Sequence, residues 1–89
     1  MVTKIFAVWD KKVKVYRFPH MLPSNGQALR SFTEAANDLA SEIGKYPDDF
    51  VLYESGSFDD ATGMLTPLNM PMHLGEACNF VIDKEVKNA

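Results

Sequence analysis

What most limits the fold is that a single long segment has helical periodicity, with β-forming runs on both sides of it. Over residues 27–43, Ala28, Leu29, Phe32, Ala35, Ala36, Leu39, Ala40 and Ile43 form one apolar stripe at helical spacing. Ser24 or Asn25 can cap this helix, with Gln27 three residues beyond Ser24 completing a capping box. Gly44 suits a left-handed stop after it. The outer face carries Arg30, Glu34, Asp38 and Glu42 at four-residue steps. Most of these are acidic, so this face repels DNA, and insertion of the helix into a groove is rejected.

Before the helix, TKIFAVWD and KVKVYRF are β-branched and aromatic runs separated by Asp10-Lys11-Lys12. They read as a hairpin whose turn lacks a Gly or Asn for positive φ, so its register stays open. Alternation on the second strand puts Lys14, Tyr16 and Phe18 on one face and Val13 and Val15 on the other. A two- or four-residue loop adds Ile5, Ala7 and Trp9 to the Lys14 face; a three-residue loop adds Phe6 and Val8 instead. After the helix, FVLYESGSF and a shorter MLTPL form a second hairpin across DDATG, with Gly63 at a positive-φ position. Pro67 confines its strand to an edge or ends it. Residues 69–84 hold a short helix or a last strand, and residues 84–89 are a frayed tail. The expectation is one domain over residues 1–89, of α+β class: a small antiparallel sheet of two β-hairpins packed on one amphipathic α-helix.

Catalytic and metal chemistry lack their parts. Asp48, Asp49, Glu54 and Glu76 have no histidine near them in sequence and no spacing that singles out an acid and a base. Ser55-Gly56-Ser57 is not a nucleophile elbow, and no glycine-rich phosphate loop occurs. His20, His73 and the single Cys78 are too few for a structural zinc, and Asp59-Asp60-Ala61-Thr62-Gly63 reads as turn chemistry rather than a calcium loop. Cys78 reads as a small buried thiol in a reducing cytoplasm, and Met64, Met70 and Met72 as core filler ahead of an adaptable contact surface. No run approaches the ~20 apolar residues of a membrane span. No enzyme, cofactor, metal or membrane partner is expected.

Charge points elsewhere. The net charge of −3 divides into +5 over residues 1–30 and −8 over residues 31–89. Such a split fits a polyanion-binding side or self-complementary association between copies. Within KVKVYRFPH, cations and aromatic rings alternate, as they do where single strands stack on rings and lay phosphates on cations. Packing of Tyr16 and Phe18 in the core, with lysine stems over their edges, is the more common outcome for such residues.

The order of motifs resembles a known group. KIFAV near the start, then Gly26, Ala28, Arg30, Phe32, Ala35, Asn37 and Asp38, then GKYPDDFVLYESGSFDDATG and MLTPL are similar to the small nonstructural protein of gokushoviruses. These are tailless microviruses with single-stranded circular DNA. The similarity runs from about residue 4 to residue 68 and touches HLGEA. It implies a protein of the host bacterial cytoplasm that acts in viral strand synthesis or packaging through single-stranded DNA; it supplies no contact residues. From strand geometry and charge, Lys11, Lys12, Lys14 and Arg17 are expected on phosphates and Trp9, Tyr16 and Phe18 on bases. The expected function is thus a non-catalytic single-stranded-DNA-binding accessory protein, a homodimer, whose affinity falls steeply with salt. The alternative is a protein-interaction module that recruits a phage replication or procapsid (capsid) component without touching DNA.

Overall fold

The computed structural model describes residues 1–82, and the tail expected at 84–89 lies outside them. Strands β1 (Val2–Asp10) and β2 (Val15–Leu22) make the first hairpin, and β3 (Phe50–Asp59) and β4 (Met64–Glu76) the second. Between the hairpins come helix α1 (Asn25–Ala36), the short helix α2 (Glu42–Lys45) and a 3-10 turn at Pro47–Asp49. Another 3-10 turn, Ala77–Phe80, follows β4. All pairings are antiparallel in the order β2-β1-β3-β4, so β1 and β3 are internal and β2 and β4 are edges.

The first turn replaces the missing glycine with side-chain hydrogen bonds. The buried Asp10 carboxylate accepts from the backbone N–H of Lys12 (2.9 Å) and Val13 (3.4 Å), while Lys14 itself takes a φ of 60°. The loop has four residues, Asp10 pairs with Val15, and Trp9 therefore lies opposite Tyr16. Farther along, Phe6 pairs with His20 but Val8 with Arg17, so Phe18 and Pro19 together oppose Ala7 in a β-bulge. Phe18 has a φ of 56° there, and the strict alternation expected for this strand is broken.

The long helix is shorter than its apolar stripe. Ser24 caps it as expected, its hydroxyl accepting from the Gln27 N–H at 3.3 Å. The helix ends at Ala36, because Asn37, Asp38 and Ser41 bond to local backbone instead of continuing it. The Ser41 hydroxyl donates to the Ala35 carbonyl at 2.6 Å and caps α2 by accepting from the Gly44 N–H at 2.9 Å. Leu39, assigned to the stripe, is 78% exposed; Ile43 rejoins the core through α2. Gly44 lies inside α2 rather than at a helix stop. Ala28, Phe32 and Ala36 of α1 are buried in one cluster with Phe6, Val8, Phe50, Leu52 and Ala77. Asn37 ties residues 80–82 to the end of α1, donating to the Phe80 carbonyl at 2.9 Å and accepting from the Ile82 N–H at 2.7 Å.

The second hairpin is longer than the run MLTPL implies. Residues 69–76 continue β4, and Pro67 is tolerated because β4 is an edge. Glu54 pairs with Met72 and Gly56 with Pro67, so residues 68–71 arch out opposite Ser55 alone. Met64, Met70 and Met72 are 64%, 77% and 50% exposed, which overturns their reading as core filler. Cys78 is also exposed: the turn after β4 buries Ala77 and leaves the thiol outside.

One test of this packing is a pair of glycine substitutions. A Cβ on Gly44 would collide with the Asp38 carbonyl oxygen, whereas one on Gly26 would meet nothing nearer than the Ser24 hydroxyl at 3.9 Å. Gly44→Ala is expected to cost about 3 kcal/mol in urea denaturation, and Gly26→Ala to be neutral or stabilising by up to ~1 kcal/mol. Equal midpoints for the two variants would contradict the close approach of α2 to the end of α1.

Candidate nucleic-acid interface

Successive strand residues point to opposite sides of a sheet. Phe6 and Val8 join the core with α1, so Ala7 and Trp9 face the side of the sheet opposite α1. Trp9 pairs with Tyr16 on β2, Ala7 with Tyr53 on β3, and Tyr53 with His73 on β4. Four rings therefore cross all four strands in one row. Ring centroids are 4.8 Å apart for Trp9–Tyr16, 5.6 Å for Tyr16–Tyr53 and 5.7 Å for Tyr53–His73. Tyr53 stands nearly perpendicular to both neighbours, at 80° and 89°, a favourable edge-to-face arrangement. Tyr16 and His73 are exposed, and Trp9 and Tyr53 half-buried.

The expected face of Lys14, Tyr16 and Phe18 is corrected on two counts. The bulge turns Phe18 to the helix side, where its ring lies 6.4 Å from that of the core residue Phe50. Lys14 belongs to the turn, at the end of the sheet where Tyr16 and Trp9 lie. Tyr53 and His73 take the place expected of Phe18. The strand FVLYESGSF was legible, and alternation across a Trp9 register would have flagged Tyr53; His73 had no signal, because the run of β4 past Pro67 was not legible.

The cations are also redistributed. Arg17, opposite Val8, lies on the helix side: one guanidinium nitrogen is 2.9 Å from the Asp10 carboxylate, and two are each 2.7 Å from the Glu42 carboxylate. Its guanidinium rests over the Phe18 ring at 4.7 Å. Lys11 donates to Glu76 at 2.8 Å, and Lys4 approaches Glu54 at 3.7 Å. Among the described residues, Lys12 and Lys14 make no ion pair, and both are exposed. Of the four expected phosphate contacts, Lys11 and Arg17 are thus already neutralised within the chain. The opposed charges of the two segments meet largely inside one molecule: Glu42, Glu54 and Glu76 each face a cation from residues 1–30.

These pairs set the titration of the acids. Burial pushes the Asp10 carboxyl up, but the hydrogen bonds from Arg17 and from the Lys12 and Val13 N–H groups hold it below its ordinary value. The Arg17 hydrogen bonds lower Glu42 against its own desolvation. Those of Lys11 lower Glu76, and Glu76 in turn raises Lys11.

An antiparallel sheet with a helix on one side and an aromatic row on the other defines the class, a small α+β protein with a ring-lined sheet face. The chain belongs to the phage ORF5 protein family, whose model matches residues 3–80, and it is therefore a bacteriophage protein. No curated protein and no solved structure matches it.

Because folding lowers these three carboxyl groups, their stabilisation is complete above the ordinary carboxylate range and is lost as pH falls through the lower folded values. The melting temperature is expected to fall progressively below about pH 4. Glu42→Gln should melt lower than wild type at pH 7 and lose less on acidification, measured by circular dichroism melts from pH 7 to 2. Parallel profiles would refute the Arg17–Glu42 contribution.

Proposed function

We propose that the protein is a non-catalytic accessory protein of gokushoviruses that holds single-stranded DNA across the face of its sheet opposite α1. It would act in the host cytoplasm during viral strand synthesis or packaging. The observation that carries this reading is the row of rings, one from each strand, in which Trp9–Tyr16, Tyr16–Tyr53 and Tyr53–His73 have centroid spacings of 4.8, 5.6 and 5.7 Å. Aromatic rings on an open sheet are the surface on which unstacked bases bind, two or three at a time. Trp9 and Tyr16 keep their proposed stacking role, joined by Tyr53 and His73, and Lys12 and Lys14 take phosphates at the end of the row. A duplex, with its bases stacked inward, gains nothing from such rings. Two copies together would double the site and raise avidity without new contact types.

A second reading, a surface for a phage replication or capsid protein, is favoured by the arch on β4. There Met70 is 77% exposed and stands beside the exposed Met72 on an edge strand. The two readings occupy different parts of the sheet and separate cleanly in one titration.

Fluorescence anisotropy with labelled oligothymidine should give saturable binding. Tyr16→Ala and Tyr53→Ala should each weaken it about 5- to 150-fold, the range for one stacked base. With Lys12 and Lys14 as the two phosphate contacts of each protomer, raising salt from 50 to 200 mM should weaken it only about sevenfold, a slope near −1.4 on logarithmic axes. Absence of binding at tens of micromolar protein, or full affinity in folded Tyr53→Ala, would sink the first reading and favour the second. Sedimentation equilibrium decides the stoichiometry: a species that stays at 10.0 kDa at all concentrations excludes the dimer.

A further inference from the structure

On the other side of β2, we infer, lies a second element of the same site: a cleft against α1 that takes one unpaired nucleobase from the strand held by the aromatic row. The inference rests on the single-stranded-DNA reading.

The cleft encloses about 310 Å³, at the lower end for sites that bind small planar ligands. Val8, Phe32 and Ile43 of the core line it from within, Phe18 and His20 from β2, and Ser31 from α1. It exists because of the bulge: in a regular strand Phe18 would follow Tyr16 to the open face, and the cleft would lose its aromatic wall. A phenylalanine at a φ of 56° persists only where its surroundings hold it, and bulges commonly re-aim a side chain at a binding site. Arg17, over the ring at 4.7 Å, helps to hold it.

The polar groups narrow the occupant. Nδ1 of His20 lies 2.7 Å from the Phe18 carbonyl oxygen. A carbonyl only accepts, so Nδ1 carries the hydrogen, and in the neutral ring Nε2 is left as an acceptor. Among the described residues, neither Nε2 nor the Ser31 hydroxyl has a hydrogen-bond partner. An aliphatic side chain would leave both unused. A planar heteroaromatic ring with apolar faces and an N–H edge uses the phenylalanines and the polar pair together, and every nucleobase that carries an N–H on its pairing edge qualifies. The path is short. Tyr16 and Phe18 are two residues apart on an edge strand, on opposite sides of the sheet, so one strand curling round β2 meets the row and then the cleft.

The test fills the cleft from α1 and leaves the row untouched. Ser31 is exposed on the helix, and Ser31→Leu is compatible with helical backbone. Binding of labelled oligothymidine should weaken about tenfold. When single abasic sites are scanned along the oligonucleotide, one position should weaken wild type by a similar factor and Ser31→Leu not at all. Independently of any variant, the ¹⁵N resonance of His20 Nε2 should move when oligothymidine is added to wild type. Wild-type affinity in Ser31→Leu, an abasic profile shared by both proteins, or an unmoved His20 resonance under saturation each overturns the cleft while leaving the row standing. If no oligothymidine binds to wild type, both fall together.

Discussion

The first hairpin depends on one buried carboxylate. Asp10, 3% exposed at the end of β1, gathers the turn by accepting from two backbone N–H groups and draws Arg17 across from β2. A buried charge persists only when it is paired and hydrogen-bonded, and Arg17 supplies both. Through Glu42 the same guanidinium reaches α2, so one network joins the hairpin, the turn and the segment after the long helix. Holding Arg17 on the helix side also commits Tyr16 to the open side, since adjacent strand residues diverge. The aromatic row is in this sense a consequence of an ion pair that lies behind it.

Much of the architecture was legible from residue types. Alternating β-branched and aromatic runs marked the strands, Ser24 marked the start of α1, Gly63 marked the second turn, where its φ is 75°, and Pro67 marked an edge. The four-residue loop that sets Trp9 opposite Tyr16 was one of two registers that put them on one face. Where the reading failed, a distant partner or an unmarked backbone conformation had decided the outcome. Positive φ at Lys14 and Phe18 has no compositional signature, since neither is a residue that favours it. The helix was read to Ile43 because Leu39 and Ala40 keep its period, yet the bonding of Asn37, Asp38 and Ser41 to nearby backbone prevailed.

The site was legible in part for the same reasons. Trp9 shares the Tyr16 face in two of the three loop lengths that local sequence allows, while Tyr53 and His73 enter only once β3 and β4 are placed beside β1. Basic residues clustered near the start of the chain looked like a surface waiting for a polyanion. Their partners lie far along the chain, 25 residues away for Arg17–Glu42 and 65 for Lys11–Glu76, and no local pattern announces such pairs. A protein that neutralises most of its own basic segment retains little general attraction for nucleic acid. In the proposed function, selectivity for unpaired bases would then fall to the rings rather than to charge.

The irregular pairing of β4 has one more effect. A long strand at a sheet margin normally offers its free backbone groups to any passing chain, and apolar side chains such as Met64 and Leu65 make that offer worse. Here Pro67 and Pro71 each lack an N–H, and the four-residue arch between Pro67 and Met72 throws the spacing out of step. An incoming strand cannot keep register along such a margin. The exposed methionines thus lie on a margin that makes a poor template for cross-β stacking.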